Sequence, residues 1–198
     1  KNDLISYSNS LSRAFDSDKS NFEVGIMCAN AYIVNEQFDK AESHLMSLNE
    51  YFPNNTEISY TLIELYKISK QWLKLINLNL KLYEIEYNNK YIDNAVDISI
   101  LTDNEEFIIE NITKLLMKNY DNENLYNGYL KLIYSKQLYS KAKNTLLALI
   151  KKSNNIKYKL KLAEFYTYLN DFNESKNILK TITNNLDLNP SLYNLILI

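Results

Sequence analysis

The chain has 198 residues, 46% of them hydrophobic, with a formal net charge of −2 and a sequence pI near 5.6. Only two glycines and two prolines occur, too few for the many corners of a β or α/β fold, so the composition points to helices throughout. The near-neutral balance gives no positive field to draw in a phosphate backbone, which sets nucleic acid aside as a partner.

From the N-terminus, Leu4, Tyr7, Leu11 and Ala14 recur at helical spacing. They predict one helix over residues 1–21, an incomplete hairpin closed by the polar turn from Asp16 to Asn21. The next stretch, residues 29–55, reads ANAYIVNEQFDKAESHLMSLNEYFPNN. Ala29 is a small residue on a first helix, Tyr32 an aromatic three residues on, and Phe38 an aromatic opening a second helix. Ala41 is a small residue at a crossing point and Pro53 closes the unit. Five spaced positions thus resemble the tetratricopeptide repeat, whose period is about 34 residues.

Counting that period from Phe22 gives a unit over residues 22–55 and a second over 56–89. The second carries Leu62, Tyr66, Trp72 and Leu82, with Leu75 at the small position and Tyr87 in place of the closing proline. A third, 90–122, keeps the rhythm with Val96, Ile100, Ile108, Ile112, Leu115 and Leu116 but puts Asp97 where a small buried residue is expected. The fourth, 123–155, has Tyr129, Ile133, Tyr139, Ala142, Leu146 and Leu149. The fifth, 156–189, has Leu162, Ala163, Tyr166, Phe172, Ser175, Leu179 and Ile182. Polar pairs such as Asn54 with Asn55 and Asn88 with Asn89 separate the units. A last partial helix is expected over 190–198, and its apolar run suggests that the chain is a fragment of a longer protein.

The resemblance implies an all-α fold: a right-handed α-solenoid of antiparallel helix pairs, a tetratricopeptide-like superhelix in one domain over 1–198, with about five repeats and partial repeats at both ends. A lone hairpin cannot bury enough apolar surface, so neighbours share a continuous core. Ala41, Ala142, Ala163 and Ser175 are expected where helices cross closely, and Tyr32, Phe38, Tyr166 and Phe172 between hairpins.

The residues offer little for catalysis, and an enzyme is not expected. Cys28 and His44 do not form a pair: Cys28 falls at a core position and His44 at an edge. No set of nitrogen and sulfur ligands suits zinc, and no glycine-rich loop suits phosphate, so neither metal nor cofactor is expected. Asp16, Asp18 and Ser20 lack the glycine and the acid of a calcium loop and read as a capping turn. Glu105 and Glu106 open a helix, where negative charge is favoured. Asp171, Phe172, Asn173, Glu174 and Ser175 match an extended acceptor for N-glycosylation, and Asn54 and Asn111 lie in simpler triplets; Ser175 at a helix crossing argues against modification of Asn173. No apolar run reaches the ~20 residues needed to cross a bilayer, so no membrane insertion is expected. The lone cysteine is compatible with a cytoplasmic or a periplasmic location.

In tetratricopeptide arrays the first helix of each repeat lines a concave groove, and the resemblance carries that role to specific positions. They are Ile26, Asn30 and Ile33 in the first unit, and Tyr60, Glu64 and Lys67 in the second. The third supplies Tyr91, Asn94, Ile98 and Leu101, the fourth Asn127, Lys131 and Tyr134, and the fifth Leu160, Glu164 and Tyr168. Ile26 and Glu64 replace residues that chaperone-tail clamps need. Tyrosine, amide and aliphatic side chains suit an extended peptide or an amphipathic helix.

The expected role is a non-enzymatic protein–protein interaction scaffold holding a partner's peptide or helix in the groove. One alternative is a structural spacer in a bacterial envelope or motor assembly; another is an RNA-binding helical repeat, disfavoured by Glu64 and Glu164. Charge is unevenly spread. Residues 1–122 hold 11 basic and 19 acidic side chains, a balance of −8, and residues 123–198 hold 11 and 5, a balance of +6. Lys151, Lys152, Lys157, Lys159 and Lys161 concentrate the positive part, which suggests either an acidic partner or self-association through oppositely charged ends.

Overall fold

The computed structural model describes residues 2–184; the helix expected over 190–198 lies outside the described residues. Among the described residues every regular element is a helix. In chain order they are α1 (Asn2–Ser17), α2 (Phe22–Val34), α3 (Phe38–Tyr51), α4 (Thr56–Ile68), α5 (Trp72–Glu86) and α6 (Asn89–Leu101). They continue with α7 (Glu105–Lys118), α8 (Glu123–Lys136), α9 (Tyr139–Ser153), α10 (Ile156–Tyr168) and α11 (Phe172–Asn184). The chain is therefore all-α and built of successive helix pairs with a tetratricopeptide-like period.

Two compact units divide it, Lys1–Leu82 and Tyr83–Ile198, with the division inside α5. In the first, α2 packs on α1, α3 and α4. In the second, α6 packs on α7 and α8, α9 on α7, α8 and α10, and α11 on α10. Within each unit helices thus meet near neighbours in the chain, the α-solenoid arrangement of helix pairs.

Asparagine fixes where each first helix begins. Asn21, Asn55, Asn88, Asn122 and Asn155 are the N-caps of α2, α4, α6, α8 and α10. Their side-chain oxygens accept from the backbone N–H of Val24, Glu57, Lys90, Leu125 and Lys157 at 2.9–3.2 Å. Each satisfies one N–H that the helix itself cannot pair.

The turn inside each pair is equally regular. Glu36, Lys70, Asp103, Gln137 and Asn170 all have φ between 52° and 60°. The next residue's N–H reaches back to the carbonyls of Tyr32, Tyr66, Ser99, Ile133 and Tyr166 at 2.9–3.0 Å. That closure ends a helix through a left-handed residue, a place glycine usually takes. None of the five is glycine.

The two glycines serve close packing instead. A Cβ on Gly25 would lie 2.6 Å from Leu48 Cδ1, and one on Gly128 would lie 2.8 Å from Ile92 Cγ2. Gly128 therefore lets α8 approach α6. Ala41, Ala142 and Ala163 are buried, as is Ser175, whose hydroxyl donates to the Ala163 carbonyl.

Several expectations need correction. In α1 the inward face is Ser8 and Phe15, whereas Leu4, Tyr7 and Ala14 are exposed. Ser8 satisfies its hydroxyl on the Ile5 carbonyl and is met by the Asn35 amide at 3.3 Å, which makes a polar residue tolerable in the interior. Asp97 does not occupy a buried site: it is exposed, and Ala95 and Ser99 are the fully buried small residues of α6. Phe172 does not fill a gap between hairpins but is 61% exposed at the start of α11.

Candidate protein-binding face

In the second unit α6, α8 and α10 are the first helices of their pairs, and their outward residues form the best-developed candidate surface. Asn94, Leu101, Asn127, Lys131, Leu160 and Tyr168 are exposed, while Ile98 and Tyr134 are half-buried. Lys131 of α8 meets Asp97 of α6 at 2.5 Å, so the residue misread as a core position ties two first helices together. From α8 the Tyr134 hydroxyl donates to Glu164 Oε1 of α10. Lys161 closes this cluster, with its ammonium 2.8 Å from the Tyr134 oxygen and 2.6 Å from Glu164 Oε2.

Burial and the bond to Glu164 push the Tyr134 hydroxyl pKa up. Burial alone would lower the Lys161 pKa, but the bonds to Glu164 and Tyr134 outweigh it and hold the ammonium charged. The Tyr134 hydroxyl therefore stays protonated and Lys161 stays charged at neutral pH, so the cluster is a fixed arrangement of hydrogen-bonding groups. Aromatic rings surround it. Tyr134 lies 5.6 Å from Phe165 edge-on, and Tyr139 stacks on Tyr168 at 4.7 Å. Edge and offset contacts of this kind hold rings rigid. Tyr168, 52% exposed, is thus a pre-positioned aromatic at the surface.

Two expected contacts lie elsewhere. Tyr91 is only 4% exposed and donates its hydroxyl to Glu86 Oε2 at 2.9 Å, and Ile26 is 7% exposed. Tyr91, Asn94 and Ile98 share one face of α6, but Tyr91 lies in the first turn and is covered where its hydroxyl reaches back to Glu86 at the end of α5. In the first unit, Tyr60 is 53% exposed on α4, and Glu64 and Lys67 pair with each other at 2.8 Å.

The sequence reading missed Asp97, Tyr139 and Lys161 as parts of the face, and Phe165 as the buried ring that supports Tyr134 and Tyr139 from beneath. One signal could have found Asp97. Lysines pair with carboxylates 32–35 residues earlier in Lys74–Glu42, Lys118–Glu84, Lys131–Asp97, Lys136–Asp103 and Lys141–Glu106. That interval is the repeat itself.

Other groups considered for chemistry have structural partners. Cys28 is buried, its thiol pKa raised by burial. His44 is half-buried, Nε2 2.9 Å from the Gly25 carbonyl, with Phe15 edge-on at 4.9 Å. It lines a shallow cleft with Tyr32, Asp39, Lys40 and Ser43. Asp18 Oδ1 accepts from the N–H and hydroxyl of Ser20, as a capping turn does. Ser175 donates its hydroxyl to the Ala163 carbonyl at 2.8 Å, so the triplet at Asn173 has its serine engaged in the core. Among the described residues no group of three or more His, Cys, Asp or Glu could hold a metal ion, and no helix is long and apolar enough to cross a membrane.

No protein-family model and no curated protein matches this chain. Solved structures do resemble it. A tetratricopeptide repeat protein from Parabacteroides merdae is 16% identical, covering 98% of this chain and 77% of its own, with a TM-score of 0.44. YrrB, described as a TPR protein with an unusual peptide-binding site, is 10% identical over 87% of this chain and 90% of its own, with a TM-score of 0.40. The Pseudomonas aeruginosa protein pilF is 12% identical over 93% and 86%, also with a TM-score of 0.40.

Proposed function

We propose that the chain is a non-enzymatic scaffold that holds a peptide or helix of a partner protein on the first-helix face of its second unit. The observation that supports this most is the ordered aromatic and polar cluster of Tyr134, Lys161 and Glu164, with Tyr168 stacked on Tyr139 beside it. Rigid tyrosines lose little freedom on binding, and fixed polar groups set the register of a bound chain. Asn94 and Asn127 are exposed amides able to pair with a partner's backbone. Ile98, Leu160 and Leu101 supply apolar contact, and Lys131, held by Asp97, lies between them. On the first unit, Tyr60 with Glu64 and Lys67 is a separate, smaller candidate surface. Tyr91, being buried, has no direct role in this reading.

The test uses peptides selected against the native chain from a random displayed library, with affinities measured on variants. Replacing Tyr168 and Asn127 together by Ala should weaken the selected peptides about tenfold or more, the usual size of a central aromatic contact. Unchanged affinity in that variant, with an unchanged helical spectrum, would remove the face from consideration. Binding undisturbed here but lost on substitutions along α7 or α9 would favour the spacer reading instead.

A further inference from the structure

The ladder of lysines pairing with carboxylates one repeat earlier stops at α9. That helix carries Lys141, Lys143, Lys151 and Lys152 and no acidic residue. The lysines of α11, Lys176 and Lys180, therefore have no carboxylate one repeat back. Residues 139–184 hold nine lysines against Glu164, Asp171 and Glu174 alone, a balance of +6. Among the described residues the ammonium groups of Lys151, Lys176 and Lys180 have no ion pair, hydrogen bond or ring contact. All three are exposed.

These charges are also ordered in space. On α9, Lys141, Asn144, Leu147 and Lys151 are exposed at spacings of three and four, one face of a helix, opposite the buried Ala142, Thr145, Leu146 and Leu149. On α11, Lys176 and Lys180 are one turn apart, and both helices pack against α10. We propose that this outer, second-helix face of α9 and α11 is an electrostatic docking surface for an acidic segment of a partner protein, separate from the first-helix face.

Charge complementarity selects that partner. Among the described residues each ion pair between hairpins is a lysine gripping a carboxylate, and the free lysines repeat that donor without its acceptor. Residues 139–184 contain no arginine, the side chain whose planar fork suits phosphate. The exposed residues between the lysines are Asn144 and Leu147 on α9 and Asn177 on α11. The one large apolar side chain one turn from them is Phe172, which falls short of the continuous apolar face an interfacial helix needs to enter a bilayer. The matching ligand is a segment with carboxylates one helical turn apart.

A fluorescently labelled oligo-glutamate peptide is the probe, titrated against the whole chain at low and at physiological salt. Mixed-sequence RNA and phosphatidylserine vesicles are run alongside. Oligo-glutamate should bind at low salt, weaken as salt rises, and bind about tenfold more weakly to a Lys151→Glu, Lys176→Glu, Lys180→Glu variant. The three side chains are exposed and make no ion pair, hydrogen bond or ring contact among the described residues, so that variant should keep its helical spectrum. Tyr168→Ala with Asn127→Ala should leave oligo-glutamate binding unchanged, which separates this surface from the one proposed above. The inference is overturned if oligo-glutamate does not bind, if the charge-reversed variant binds it like the native chain, or if RNA or vesicles bind more tightly.

Discussion

Single residues carry more of the fold's specificity than their type suggests, and His44 is the clearest case. Its Nε2 bonds the Gly25 carbonyl of α2 while its ring meets Phe15 of α1, so one side chain of α3 touches two other helices. Burial lowers its pKa below the ordinary histidine value, although the bond to Gly25 and the charge of Asp16 pull the other way. The unfolded chain therefore takes up a proton first as pH falls. This contribution to stability is complete above the unfolded histidine pKa of about 6.5 and is lost progressively below it. Urea unfolding should show stability falling between pH 7 and 5, and a His44→Gln variant should show a flatter profile over the same interval. Identical slopes for the two would mean that His44 titrates alike in folded and unfolded chains.

At the scale of the element, each first helix is bounded by an asparagine cap and a left-handed turn, and these define testable local energies. Asn88→Ala removes the oxygen that accepts from the Lys90 N–H, and should cost about 1 kcal/mol in denaturant unfolding. The turns run the other way. Lys70 has φ of 55°, a conformation costing roughly 1–2 kcal/mol for a residue with a Cβ. Glycine removes that strain but adds freedom to the unfolded chain, so Lys70→Gly should raise stability by a net ~0.5–1 kcal/mol. A fall in melting temperature for that variant would show that the lysine side chain has a compensating role.

At the scale of the whole molecule, stability and register come from different interactions. Leu45, Leu65, Ile108, Ile112, Leu146 and Leu149 are fully buried or nearly so, and Leu146→Ala should cost ~2–5 kcal/mol. Lysine–carboxylate pairs between hairpins are largely exposed; in Lys141–Glu106 the side chains are 46% and 82% accessible. Exposed pairs add little to stability and are screened by salt. Lys141→Ala and molar sodium chloride should each leave the urea midpoint of the native chain nearly unchanged. Their effect is on which hairpin faces fit, since a like-charge neighbour would oppose a shifted register.

The amino-acid sequence by itself determined the helical class and the period, because both depend on local quantities: apolar spacing, small residues such as Ala41 and Ala142, and polar breaks at Asn54 and Asn88. It also brought Asn127, Lys131 and Tyr168 onto the outward face of first helices. Tertiary structure alone decided how each helix is rotated about its axis. Packing against neighbouring helices buries Tyr91 and Ile26, leaves Leu4, Tyr7 and Phe172 exposed, and makes Asp97 a partner for Lys131. A helix with apolar residues on more than one side has several rotations of similar local energy. Only packing against neighbours, through close approaches such as Gly128 to Ile92, selects one of them.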